Sequence, residues 1–192
     1  MTPNIPTHEE RIDFWKHSYA RSSFIETQSF VNELLSINPP PNSPTRRAFT
    51  MATLGVYCRP FKQRRNIRLS EDIVPDQHKE THDTLILLRD KVIAHRDLDA
   101  PITDWGFVSQ LQFNVRDEQL TVDTISSIMS NEVAYSILEL LPYLIETMDI
   151  AMDLFFANHL SNLGCNDATY TISLETDPDQ WLLQQRDNKM LR

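Results

Sequence analysis

Apolar residues recur at helical spacing along most of this chain. From Thr7 to Ile37, the positions Ile12, Trp15, Tyr19, Phe24, Ile25, Phe30, Val31, Leu34 and Leu35 supply one wide apolar face, which predicts a first helix. Thr7-His8-Glu9-Glu10 opens it as a capping box, and Pro39-Pro40-Pro41 cannot continue it. Ser43-Pro44 reads as an N-cap followed by a first-turn proline, so a second helix should run to about Cys58 and break at Pro60.

A third stripe follows Pro75. Residues 76 to 99 read DQHKETHDTLILLRDKVIAHRDLD, without Gly or Pro. A helix over 76–95 would be about 30 Å long. Leu85, Ile86, Leu88, Val92 and Ile93 form its apolar face, and His78, His82 and Arg89 fall near the middle of that face. A guanidinium in an apolar surface needs a partner. Two readings stand: a core or subunit seam with paired charges, or a polar pocket cut into an apolar interface.

The period then changes. Phe107, Ser109, Leu111, Phe113 and Val115 alternate, and Leu120 and Val122 start a return, predicting a β-hairpin over 105–123. Asp123 or Thr124 should cap a long last helix reaching Leu163, stopped by Gly164 and kinked at Pro142. Residues 164–192 form an appendage: a short strand near Tyr170–Leu174, then a short helix capped by Asp177-Pro178 and carrying Trp181. The chain is expected to be one mainly α domain over 1–192 with a small β-hairpin insertion.

Composition narrows the function. Three glycines (Gly55, Gly106, Gly164) leave no glycine-rich phosphate cradle. Cys58 and Cys165 are too few and too isolated for a zinc site or a disulfide scaffold, so a reducing compartment is expected. His78 and His82, four residues apart, could share a metal, but the sequence offers no obvious third ligand, so neither metal nor cofactor is expected. The first residues, MTPNIPTHEER, lack the apolar stretch of a signal peptide, and no apolar run reaches membrane-spanning length. A soluble cytoplasmic protein without membrane association is expected.

The net charge of −9 argues against indiscriminate nucleic-acid binding, yet the charge is segregated. Seven basic residues and no acidic one lie between Arg46 and Arg68: Arg46, Arg47, Arg59, Lys62, Arg64, Arg65 and Arg68. From Asp117 onward, thirteen acidic residues face Arg186, Lys189 and Arg192. A basic segment of this kind can hold a phosphate backbone locally, although a solvated face has the same composition.

The string LRDKVIAHRD resembles the signature of the HEPN superfamily, small helical proteins of toxin–antitoxin and phage-defence systems. Its mark is an Arg, four to six residues, then a His, at the end of a bundle helix; here Arg89, Asp90 and His95 match. Spacing alone is unspecific, since Arg11 and His17 share it. The context carries the likeness: Arg-polar-Lys-apolar-apolar-Ala-His, and the upstream VYCRPF segment with Tyr57, Arg59, Pro60 and Phe61, matched with His82. Asp90 stands where Asn is common in the family.

The resemblance implies an up-and-down bundle of four to five helices, a homodimer, and metal-independent RNA cleavage in which the 2′-hydroxyl attacks the adjacent phosphate. His95 would transfer protons, Arg89 would stabilise phosphoryl charge, and Asp90 would orient His95 or a neighbouring Arg. Tyr57, Arg59, Arg64, Arg65 and His82 would bind substrate. On a regular helix Arg89 and His95 sit about 120° apart, so convergence on a phosphate calls for two subunits. The alternative is a non-catalytic helical dimer binding nucleic acid, nucleotide or a partner protein such as an antitoxin. A purely structural reading makes His95 a helix C-terminal cation and Arg89 and Arg59 ion-pair partners of acids on the last long helix.

Overall fold

A computed structural model describes residues 5–41, 43–63, 67–90, 110–116, 119–125, 129–161, 169–174 and 182–185. Helix α1 spans His8–Ile37. Thr7 Oγ1 accepts the Glu10 N–H at 3.2 Å, and Glu10 Oε2 accepts the Thr7 N–H at 2.7 Å, so both halves of the capping box are present. The helix ends at Asn38, whose left-handed conformation (φ 43°) sends its N–H back to Leu34 O at 2.9 Å. Helix α2 spans Pro44–Cys58, with Ser43 Oγ accepting the Arg46 N–H at 3.1 Å.

Two 3₁₀ turns, Glu71–Ile73 and Asp76–His78, precede helix α3, Lys79–Leu88. The regular helix therefore starts three residues after the expected position, because Asp76–His78 take the tighter turn first. Arg89 and Asp90 continue it in π geometry. The expected extension to residue 95 lies outside the described residues.

Helix α4, Asn131–Phe155, corrects the expected start at Asp123 or Thr124. Those two residues pair instead with Gln112 and Leu111 in an antiparallel ladder between β1 (Gln110–Arg116) and β2 (Gln119–Ile125). The ladder engages their backbone groups, and Ser130 caps α4 by accepting the Val133 N–H at 3.3 Å. The helix runs without interruption through Pro142 and continues as a π turn over Phe156–Leu160.

A second antiparallel pair joins β3 (Thr169–Ile172) to β4 (Leu182–Gln185). The short helix expected after Asp177-Pro178 is thus not formed at Leu182–Gln185, whose backbone is extended and paired across to β3. Residues 175–181, including Trp181, lie outside the described ones. Arg11 reaches this region from α1. Its side chain is 1% exposed and Nη1 donates to Ser173 O at 3.1 Å.

The core follows from the apolar spacing. On α1, Ala20, Phe24, Thr27, Val31 and Leu34 are buried at alternating four- and three-residue intervals, a narrow seam facing α4 and α2. On α4, Val133, Ile137, Leu140, Leu144 and Met148 answer it. Each fully buried aliphatic side chain contributes about 1.5–3 kcal/mol. Two buried threonines are satisfied locally: Thr27 Oγ1 donates to Ser23 O at 2.8 Å and Thr50 Oγ1 to Arg46 O at 2.9 Å, whereas the buried Thr53 Oγ1 has no hydrogen-bond partner among the described residues.

One polar latch joins three helix ends. The buried Arg46 guanidinium donates through Nη1 to Asn131 Oδ1 at 3.2 Å, and Asn131 Nδ2 donates to Asn38 Oδ1 at 3.3 Å. Among the described residues, no helix is long and apolar enough to cross a membrane.

Candidate functional site

The last turn of α2 and the bend after it set the site. Cys58 O accepts the N–H groups of Phe61 and Lys62 at 3.2 and 3.1 Å, and Pro60 O accepts that of Leu69 at 2.9 Å. These bonds fold the VYCRPF segment against α3. Tyr57 and Phe61 are fully buried there, and the Phe61 ring meets the His82 imidazole edge to face at 4.6 Å.

His82 lies on the apolar face of α3, where its position on the helix predicts it, and it is fully buried. Its Nδ1 is 2.8 Å from Tyr57 Oη. Its Nε2 faces Glu71 Oε2 at 3.8 Å, too far for a hydrogen bond, and has no hydrogen-bond partner among the described residues. Burial depresses the His82 pKa and Lys79 adds to this, against the carboxylates of Glu71 and Asp83. Burial likewise raises the Tyr57 phenol well above its ordinary range. Both groups are therefore neutral near pH 7. Tyr57 and His82, expected as substrate contacts, are sealed groups that form a clamp between α2 and α3.

A second cluster sits at the end of α3. Asp90 accepts from Lys62 Nζ and from Arg89 Nη1, each at 2.8 Å. Partial burial raises the Asp90 pKa, but the hydrogen bonds from Lys62 and Arg89 outweigh it and the net shift is downward. Arg89 is not in the middle of a buried face: its side chain is 38% exposed, at the rim where regular helix gives way to π geometry. Two cations share one carboxylate there, leaving a net positive rim that can receive an anionic oxygen.

The remaining expected residues separate. Arg59 is exposed and pairs with Glu26 of α1 at 3.5 Å, not with an acid of α4. His95, Arg64 and Arg65 lie outside the described residues. The basic run is not one solvated face, since Arg46 is buried, Lys62 pairs with Asp90 and Arg68 pairs with Glu71 at 3.0 Å. Arg47 is exposed and has no ion pair among the described residues. His78 turns toward the Tyr143 ring, 5.1 Å away, and does not join His82.

Two residues escaped the sequence reading. Lys62 was visible only as one of seven basic residues, and nothing in the linear order ties it to Asp90. Glu71 gave no signal beyond its charge. Cys58 is a buried thiol pushed up to about 12 by burial, with Sγ 3.6 Å from Leu85 O, so it is a core group and not a nucleophile. No family model, curated protein or solved structure matches the chain.

Proposed function

We propose that this chain is a HEPN-like, metal-independent endoribonuclease of up-and-down bundle architecture, acting as a homodimer in a toxin or defence role. The observation that carries the reading is Arg89, held half-exposed at the end of α3 beside Lys62. Its fork of donors suits the non-bridging oxygens of a phosphodiester, on which charge grows during in-line attack. His95 would take the proton of the 2′-hydroxyl or return one to the departing 5′-oxygen. Attack forms the 2′-oxygen–phosphorus bond and breaks the phosphorus–5′-oxygen bond, leaving a cyclic phosphate and a 5′-hydroxyl. Arg59, Arg64 and Arg65 would follow the RNA backbone, and the Tyr57–His82 clamp would fix the angle between α2 and α3. Two subunits would set two Arg89–His95 pairs across one groove.

A second reading has its own support. Asp90 ties down both Arg89 and Lys62, and two cations held in place in this way suit a non-catalytic module that binds nucleic acid, nucleotide or a partner protein. The deciding experiment is RNA cleavage in EDTA by the wild type, Arg89→Ala and His95→Ala. Cleavage abolished by both substitutions supports the enzyme. RNA retention without cleavage supports the binding module, and cleavage that survives both substitutions overturns the site.

A further inference from the structure

The turn before α3 and the buried imidazole on α3 face one another across a small polar gap. Glu71, His82 and Asp83 bring one ligand atom each within 4.8 Å of one another. We propose that these three residues bind a divalent transition-metal ion of the Zn²⁺ class, which staples the Glu71–Ile73 turn to α3. The proposal is independent of the cleavage reading.

The buried nitrogen is the independent observation. His82 Nε2 is sealed from solvent, has no hydrogen-bond partner among the described residues, and points at Glu71 Oε2 from 3.8 Å. That gap is too wide for a hydrogen bond. It matches two donors on one ion, since bonds of about 2.0–2.2 Å place a pair of ligands at most about 4.4 Å apart. The other imidazole nitrogen is already engaged. With a metal on Nε2, the proton resides on Nδ1 and is donated to Tyr57 Oη, 2.8 Å away, the outer-shell bond that orients metal-bound imidazoles.

The carboxylates are suitably free. Arg68 holds Glu71 through Oε1 at 3.0 Å, which leaves Oε2 facing the imidazole. Asp83 is 59% exposed and can close the remaining distance by rotation. An open cavity of about 380 Å³, lined by Arg68, Leu69, Ser70, Glu71 and Asp72, gives solvent access beside Glu71. One imidazole and two carboxylates, without sulfur, suit a borderline ion of this class.

Lys79 is the competitor. Its ammonium lies 3.9 Å from Glu71 and 3.3 Å from Asp83, on a 41% exposed side chain that can swing into solvent. It occupies the same negative field with one charge where the ion would bring two.

The test is calorimetric titration of the full, chelator-stripped chain with ZnCl₂, with Co²⁺ absorption as a report on the ligand set. One ion per chain is expected, with an imidazole- and oxygen-ligated Co²⁺ spectrum and a raised melting temperature. Glu71→Gln and Asp83→Asn should each weaken binding about tenfold or more. Lys79→Gln should tighten it, an effect opposite to that of losing a structural ion pair. Absence of Zn²⁺ binding, affinity unchanged in both carboxylate variants, or weaker binding in Lys79→Gln overturns the site. Circular dichroism confirms that each variant is folded. No RNA is present, so this outcome and that of the cleavage assay are read separately.

Discussion

The hydroxyl of Tyr57 lies 2.8 Å from Nδ1 of His82, and neither side chain is reached by solvent. This pair joins the last turn of α2 to the middle of α3, so the two helices are fixed by a polar bond inside an aromatic cluster with Phe24 and Phe61. Tyr57→Phe keeps the ring and strands the imidazole nitrogen. The expected loss is about 1–3 kcal/mol of unfolding free energy, the cost of a buried polar atom left without its partner. Urea denaturation measures it directly, and an unchanged midpoint would show that the bond contributes nothing.

Lys62 and Arg89 share Asp90 at the rim. If RNA uses this rim, Lys62→Ala and Arg89→Ala each remove about one phosphate contact. The slope of log affinity against log salt concentration should then fall by about 1 in each variant. Fluorescence anisotropy of a labelled RNA across a salt series supplies the slopes, and slopes identical to the wild type would place the RNA elsewhere.

His17 on α1 is depressed chiefly by burial, with Lys16 adding and Asp13 opposing. Its folded pKa lies below the ordinary 6.5, so the unfolded chain takes up a proton first as the pH drops. The contribution of His17 is present above about 6.5 and is lost as the pH falls through that value toward the folded pKa. Unfolding free energies measured between pH 7 and pH 5 should decline, and His17→Gln should flatten that decline. An equal slope in the variant would mean that His17 titrates normally.

Arg11 carries its charge into an almost closed site and gives one hydrogen bond to Ser173 O at 3.1 Å. Arg11→Met keeps much of the aliphatic bulk and removes the donor. The change should cost about 1.5–3 kcal/mol as a lost charge-assisted bond, and should loosen the segment around Ser173 first. Hydrogen exchange read by mass spectrometry should show faster exchange at 169–174 than at α4; uniform exchange would contradict the tether.

Thr7 caps α1 through Glu10 on both sides of the box. Thr7→Ala should cost about 0.5–2 kcal/mol. Thermal melting checks this, and Thr7→Ser should recover most of the loss.

Local chemistry made the helix boundaries legible where it was unambiguous. Thr7 with Glu10, Ser43 with Pro44, and the proline run after Asn38 mark ends that need no tertiary information. The start of α4 was not legible because Asp123 and Thr124 have good capping side chains and also fit a strand. The ladder with Gln112 and Leu111 decided between them, and that pairing is not local. The same division applies to the site. The burial of His82 followed from its place on the helical wheel, whereas Arg89, seven residues further on, escaped to the rim because the helix changes geometry after Leu88. Lys62 meets Asp90 across 28 residues, and Glu71 meets His82 across a turn. Only the folding of the chain between α2 and α3 creates those neighbours.

The latch of Arg46, Asn131 and Asn38 has a consequence for how the long helices align. Apolar seams of nearly repeating spacing, such as those of α1 and α4, tolerate a slide by a turn or two with similar burial. A slide of one turn would carry Asn131 about 5.4 Å from its place. It would then miss both Arg46 and Asn38, partners 85 and 93 residues away in sequence, and leave a buried guanidinium without its acceptor. The latch therefore acts as a phase marker: it selects one alignment of α4 among several that the apolar side chains alone would accept.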